Sequence, residues 1–210
     1  MGKLLFIRHG ESELNVKGVW TGKTDASLTD KGRADAEKMG EAIKDIDVAH
    51  GHTSQLQRTQ QTLEHVLRGH GKTDLSRSAH IELDERDYGE LAGKNKWQVK
   101  EEIGDEAFNG IRRGWDYPVP GGETLKDVLD RALPFYLQQI VPRLQQDENL
   151  IVVAHGNTIR ALMKHIEDID EVDIANVEMP FGTIVIYEVD DKGKAKNKEV
   201  RKVEITETKA

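Results

Sequence analysis

Three short apolar runs constrain this chain more than anything else in it: Lys3–Ile7, Leu150–Ala154 and Thr183–Val189. Their middles are apolar at consecutive positions. A strand with one wet face alternates, so runs of this kind predict strands covered on both faces, as in a parallel or mixed sheet between helix layers. Asp47–Ala49 is a weaker strand candidate, too short to stand alone. Helical stripes fall between the runs. Ala36, Met39 and Ile43 share a face, with Thr29 placed as N-cap. Leu56, Thr59, Leu63 and Val66 form a second stripe, and Ile159, Leu162, Met163 and Ile166 another. A longer stripe begins at Leu125, Val128, Leu129, Ala132 and Leu133, in which Pro134 predicts a kink and Pro142 an end. Strands alternating with helices predict an α/β chain: a three-layer α/β/α domain over residues 1–190 with a mostly parallel central sheet.

Two stretches fall outside that pattern. Residues 92–122 are polar, lack a sustained period and carry Lys94, Lys96, Arg112 and Arg113, which reads as a lid-like insertion. Over 191–210, eleven of twenty residues are charged, so only Val200, Val203 and Ile205 could anchor the segment. It reads as a mobile tail with one edge strand at most.

Exclusions follow from composition and charge. The absence of cysteine removes disulfides, thiolate metal sites and a cysteine nucleophile. A net charge of -8 argues against a nucleic-acid partner, though local basic clusters can still bind a small anion. Only four apolar residues, Leu4 to Ile7, precede Arg8, too few for a signal-peptide core. Met1-Gly2 lacks the Ser or Thr at position 6 that myristoylation needs, and no apolar run is long enough to cross a bilayer. A cytoplasmic protein without a membrane partner is expected.

The chemistry-bearing residues gather at the ends of the apolar runs. Arg8-His9-Gly10-Glu11-Ser12 follows the first, and His155-Gly156-Asn157-Thr158 follows the second and opens a helix. Ligands of open α/β sheets sit at the carboxyl ends of strands, and a helix start offers free N–H groups to an anion. Either histidine alone is most simply a hydrogen-bonded strand-end residue; two strands each delivering His-Gly to one rim point to function. Thr53-Ser54 with Arg58, and Glu85-Arg86-Asp87-Tyr88-Gly89, lie in comparable positions. Read singly, they are a solvated helix arginine and a charged turn.

Taken in order, Arg8-His9-Gly10-Glu11-Ser12 with Asn15, Thr53-Ser54 with Arg58, Glu85-Arg86 with Tyr88-Gly89, and His155-Gly156-Asn157 resemble the histidine phosphatase superfamily. Gly93-Lys94-Asn95-Lys96, Arg112-Arg113, Gly122-Glu123-Thr124-Leu125 and Arg131-Ala132-Leu133-Pro134-Phe135 are similar to its cofactor-dependent phosphoglycerate mutases. The likeness runs from about Lys3 to Val189. It implies a phosphoglycerate mutase-like catalytic domain that interconverts 3- and 2-phosphoglycerate in glycolysis and gluconeogenesis. His9 would be the phosphorylated nucleophile and Glu85 the general acid and base. Arg8, Arg58 and a protonated His155 would surround the phosphoryl oxygens, since phosphoryl transfer is mostly positioning and charge neutralisation. The resemblance also places Asn15, Thr21, Gly22, Tyr88, Lys96, Arg112, Arg113, Gly156 and Asn157 against the substrate. It implies 2,3-bisphosphoglycerate as primer, no metal because side chains supply the cations, and a homodimer or homotetramer as the assembly.

The chain departs from the family pattern at three places. Lys23 stands where an aromatic usually follows the Thr-Gly pair, Asp87 where a His precedes the Tyr, and Phe181 within Pro180-Phe181-Gly182-Thr183, where Pro-Thr-Gly and another proline are usual. These bear on substrate preference and subunit packing. It also lacks the longer insertion that some relatives carry before Gly121. A hydrolase of the same superfamily is the main competing reading, and a binding scaffold on an inactive version of the fold the non-enzymatic one. Gly18-Val19-Trp20-Thr21-Gly22-Lys23-Thr24 is one residue short of a nucleotide-binding loop and follows no strand. Asp168-Ile169-Asp170-Glu171-Val172 follows a helix, unlike an aspartyl-phosphatase motif. His50-Gly51-His52 shows no third metal ligand at suitable spacing, and there is no Gly-x-Ser-x-Gly elbow.

Overall fold

A computed structural model describes residues 1–205. The three apolar runs form β1 (Leu4–Arg8), β4 (Leu150–Ala154) and β5 (Thr183–Val189) of a six-stranded sheet in the order β3-β2-β4-β1-β5-β6. Between β1 and β4 come α1 (Glu13–Val16), α2 (Asp30–Glu41), β2 (His50–Thr53), α3 (Gln57–His70), β3 (Arg77–Ala79), α4 (Lys96–Arg113), α5 (Leu125–Phe135) and α6 (Val141–Gln145). After β4 follow α7 (Gly156–Ile166), β5 and β6 (Ala195–Lys202). The β1–β4, β2–β4 and β2–β3 pairings are parallel; β1–β5 and β5–β6 are antiparallel, so the sheet is mostly parallel.

Both faces of the central strands are buried, which is why their sequences do not alternate. Leu4, Phe6, Val152 and Val185 face a core closed by α5, α6 and α7. Leu5, Ile7, Val153 and Ile186 face a second core closed by α2 and α3. Thr29 caps α2 as its position predicts, accepting the Gly32 amide on Oγ1 at 3.0 Å.

Four expectations change. The second strand begins at His50, beyond Asp47–Ala49; its polar His50 and His52 hydrogen-bond Ser76 and Ser78 of the neighbouring chain segment, so apolar patterning could not reveal it. Neither proline acts as predicted. Pro134 lies within α5, which runs on without a break through a π-helical turn over Tyr136–Ile140 into α6, and Pro142 sits just past that wider turn, which accommodates its ring and missing N–H. The stretch over 191–210 is no mobile tail as far as it is described: Ala195–Lys202 is an edge strand paired with β5 along its length, and residues 206–210 lie outside the described residues.

The stretch over 92–122 contains a long helix, α4. It carries Lys96 at one end and Arg112 and Arg113 at the other. Eighteen residues of straight helix would hold those ends about 26 Å apart. Gly104, at φ 81° and ψ 168°, breaks the helix into two limbs, and that backbone is open essentially to glycine alone. Val99 on one limb and Phe108 and Ile111 on the other pack with Trp20, Tyr88, Leu91 and Val119 in a small separate core. Each limb has its own phase, which removed the single period a sequence reading needs.

Candidate active site

The register of β1 on β4 builds the centre of the site. Arg8 is paired with Ala154, and the His9 amide donates to the Ala154 carbonyl at 3.0 Å. The next residue of each strand is therefore a histidine on the same rim, and the His9 and His155 rings stand 5.0 Å apart. Gly10 is required just beyond, because a Cβ there would come within 2.6 Å of the Gly32 carbonyl oxygen. That close approach lets the loop turn away and leaves His9 at the cavity wall.

His9 Nδ1 lies 2.7 Å from the Gly10 carbonyl oxygen. A carbonyl can only accept, so the proton is on Nδ1 and Nε2 carries the lone pair. Burial, then the charges of Arg58 and Arg8, push the His9 pKa well below the usual imidazole value. The ring is held neutral, in the tautomer a nucleophile needs.

Around it lies a cavity of about 220 Å³. Arg8, from the end of β1, gives one N–H to the Met179 carbonyl at 3.0 Å, while its buried Nε has no protein partner. Arg58, in the first turn of α3, is 1% exposed; it donates to the Gly22 and Thr24 carbonyls at 2.8 and 2.9 Å, and its Nε is likewise unpartnered. Both guanidinium groups are thus positioned by backbone carbonyls, which orient them without neutralising their charge.

His155 departs from the expected cation. It is fully buried, and burial, then Arg58, His9 and Arg8, drive its pKa well below the ordinary value. Its Nε2 lies 2.8 Å from Ser54 Oγ, and its Nδ1 has no partner. In this state His155 is neutral, because a third positive charge beside two arginines is too costly for a fully buried ring. An arriving dianion reverses the sign of that local field.

The other predicted residues also reach the cavity: Asn15, Thr21, Gly22, Glu85, Tyr88, Lys96, Arg112, Arg113, Gly156 and Asn157 all line it. The Asn15 carboxamide oxygen accepts from the Ser12 amide at 3.0 Å and is thereby oriented. Tyr88 accepts from Asn157 Nδ2 on its hydroxyl at 2.9 Å. Glu85 Oε1 accepts the Arg86 amide at 2.8 Å, and Arg131 donates to the Asp84 and Glu85 carbonyls. Lys96, pushed down to about 8 by burial and by Arg112 and Arg8, completes a second cationic group with Arg112 and Arg113. His50 and His52 are not part of the site; they belong to β2, where His52 Nδ1 lies 3.2 Å from His80 Nε2.

Sequence reading missed three contributors. Arg160, one turn into α7 and 4% exposed, donates to the carbonyls of Arg112, Arg113, Ile174 and Val177 and to Asn157 Oδ1. It ties α4 to α7, the helix that follows His155. Its position three residues after Asn157 was the available signal. Glu178 lines the cavity and pairs with Arg113 at 2.5 Å. Trp20 also lines the cavity, with its Nε1 buried and unpartnered. Two departures from the family pattern meet at the rim: Lys23 stands 4.0 Å from Asp87 and 3.7 Å from Glu123.

Comparison with known proteins agrees with this geometry. A family model described as the histidine phosphatase superfamily (branch 1) matches residues 4–200. A 2,3-bisphosphoglycerate-dependent phosphoglycerate mutase of Rhodopseudomonas palustris (strain BisB18) is 44% identical over 188 residues, which cover 88% of this chain and 90% of the relative. The mutase of the same description from Parvibaculum lavamentivorans is 38% identical over 201 residues, 94% of this chain and 95% of that one. Among solved structures, Bacillus stearothermophilus YhfR superposes with a TM-score of 0.81 at 28% identity, covering 93% of this chain and 98% of its own. A mycobacterial glucosyl-3-phosphoglycerate phosphatase bound to inorganic phosphate gives 0.77 at 20% identity over 90% of each chain, a likeness of fold alone.

Proposed function

Because the chain belongs to the histidine phosphatase superfamily, we infer that it interconverts 3-phosphoglycerate and 2-phosphoglycerate as a 2,3-bisphosphoglycerate-dependent mutase of glycolysis and gluconeogenesis. One observation carries the reading beyond the superfamily: a neutral His9, ringed by buried unpartnered donors on Arg8 and Arg58, shares its cavity with a second cationic group of Lys96, Arg112 and Arg113. One phosphate needs only the first group. A ligand with an anion at each end, as phosphoglycerate and its bisphosphate have, uses both.

The side chains account for each step. In the primed enzyme the Glu85 carboxylate takes the proton of the free hydroxyl of bound phosphoglycerate as that oxygen attacks phosphorus held on His9 Nε2. The phosphorus–nitrogen bond breaks, which leaves a bisphosphorylated glycerate beside neutral His9. Arg8 and Arg58 neutralise charge on the transferring oxygens, while Gly10 holds the Nδ1 proton. His155 gives the arriving dianion a hydrogen bond or, once protonated, a charge. In the return step His9 Nε2 attacks the other phosphorus as its bond to the glycerate oxygen breaks. That oxygen takes the proton back from the Glu85 carboxyl, and the isomeric phosphoglycerate leaves with His9 phosphorylated again. Lys96, Arg112 and Arg113 hold the distal anion, so that the bisphosphorylated glycerate stays bound until its other phosphate is presented to His9. The unpartnered donors and the paired cationic groups fit 2,3-bisphosphoglycerate, which when bound supplies the phosphoryl group that primes the enzyme. Cationic side chains take the part a metal plays elsewhere, and a cytoplasmic, small-molecule enzyme is the setting that suits this role.

The test is conversion of 3-phosphoglycerate in EDTA, with and without 2,3-bisphosphoglycerate, following 2-phosphoglycerate and free phosphate together. Bisphosphate-dependent isomerisation with little phosphate release, abolished in His9→Ala, is expected. Phosphate release without isomerisation would move the chain to the hydrolase side of the superfamily. Loss in EDTA restored by a divalent ion would overturn the side-chain chemistry.

A further inference from the structure

Phe181, one of the three departures from the family pattern, lies directly behind the reacting centre. The Arg8 guanidinium carbon sits 3.9 Å above the centre of its ring, and the His9 ring meets Phe181 edge-on at 5.9 Å and 68°. We propose that Phe181 is a positioning residue for phosphoryl transfer: an aromatic plate that fixes the plane of Arg8 against the phosphate and closes the cavity behind His9. The proposal rests on the phosphohistidine reading above.

Little else restrains Arg8. Among the described residues, only one of its donors has a partner, the Met179 carbonyl, and no carboxylate contacts it. A single hydrogen bond leaves a guanidinium free to swing about that bond. A carboxylate would stop the swing but would consume the in-plane N–H groups and cancel the charge that phosphate needs. A ring stacked on the face restrains the plane and leaves every in-plane donor available. Across the cavity, Arg58 gets the same restraint from two backbone carbonyls. Phe181 does for Arg8 what the Gly22 and Thr24 carbonyls do for Arg58.

Its second role follows from what lies behind it. A further cavity, of about 540 Å³, is lined by Phe181, Gly182, Val203 and Ile205 and shares Arg8, Asn15 and Pro180 with the catalytic one. The ring lines this second cavity while it meets Arg8 and His9. It therefore stands between that space and the reacting centre, and a small side chain there would open a path for water toward phosphorylated His9. Keeping water from that intermediate separates a mutase from a phosphatase.

The test compares Phe181→Tyr, Phe181→Trp, Phe181→Leu and Phe181→Thr by inorganic phosphate affinity, by kcat/KM for isomerisation and by the ratio of phosphate released to product isomerised. Tyr and Trp keep an aromatic face and should stay within about twofold of wild type. Leu keeps apolar bulk without it, and should weaken phosphate binding and kcat/KM by about 5- to 30-fold, the loss of about 1–2 kcal/mol at 1.36 kcal/mol per tenfold. Thr should show that loss and a raised phosphate-to-isomer ratio. Thermal melts control for folding, since loss of packing lowers the melting temperature of Leu and Thr alike. Phosphate binding unchanged in Leu, or Tyr and Trp falling as far as Leu, overturns the proposal. If the enzyme proves to be a hydrolase, phosphate affinity still reports on Phe181, so failure of the mutase reading and failure of this one are told apart.

Discussion

Lys96 offers the sharpest test of how the distal anion is held. Its ammonium is half-buried beside Arg112 and within the field of Arg8, and its pKa falls to about 8 from an ordinary 10.5. Its charge is therefore present at pH 7 and lost as pH rises through about 8. One unit above that value, at pH 9, about a tenth of free enzyme molecules keep the proton. A hydrogen bond from a charged donor contributes about 1.5–3 kcal/mol, so the uncharged form binds about 10- to 150-fold more weakly. Weighting the two forms gives a fall in kcat/KM of about five- to tenfold between pH 7 and 9, limited by the protonated fraction of about a tenth that remains at pH 9. A bound anion raises the lysine pKa, so kcat itself should stay level over that range, because it reports the loaded enzyme. Lys96→Arg keeps a cation that does not titrate, and should remove the limb near pH 8. The assay is initial rates of isomerisation at saturating and limiting 3-phosphoglycerate across pH 6.5–9.5. Stability moves the other way. With the folded pKa below the unfolded one, burial of the charged form disfavours folding below about 8, so the Lys96 contribution to stability grows as pH rises from about 8 toward 10.5. An identical alkaline limb in Lys96→Arg, or a limb confined to kcat, would refute the placement of this lysine on the distal anion.

Two further outcomes are expected. Glu178→Gln removes the carboxylate that pairs with Arg113 at 2.5 Å and leaves that cation free for substrate. Both partners are substantially exposed, so the pair is worth at most about 1 kcal/mol; KM should fall by up to about fivefold at low salt, and by less at high salt, with kcat unchanged. A raised KM would mean that Glu178 orders Arg113 instead of competing for it. Gly104→Ala meets no neighbour within 4 Å, so its whole cost is the backbone conformation at φ 81°, about 1–3 kcal/mol. The limbs of α4 should lose their shared aim, raising KM for phosphoglycerate while the rate of His9 phosphorylation by a small monoester stays within about twofold. Equal losses in both assays would show that the kink supports the whole site and not the distal half alone.

The sheet and its helices were legible in the sequence because burial on both faces leaves a one-dimensional trace. Leu4 to Ile7 and Leu150 to Ala154 have no water-facing position to mark with a polar residue, and Thr29 announces its helix by local capping chemistry. Arg8-His9 and His155-Gly156 were legible for a similar reason: chemistry at strand ends stays next to the apolar run that positions it. Elements held by long-range contacts left no such trace. β2 is polar, β3 has three residues, and β6 lies at an edge beside β5, where charged side chains are tolerated on the open side. Residue types and their order along the chain thus determined the fold class and the list of reactive groups. Only the tertiary structure decided their states. The parallel register brings His9 and His155 to 5.0 Å, the Gly10 carbonyl selects the His9 tautomer, and shared burial with two arginines removes the charge from His155. Gly104 turns the two ends of one helix toward one cavity, and Phe181 meets Arg8 across 173 positions of chain. Charge state and aim depend on distance and on the exclusion of water, and neither quantity exists until segments remote in the chain are packed together.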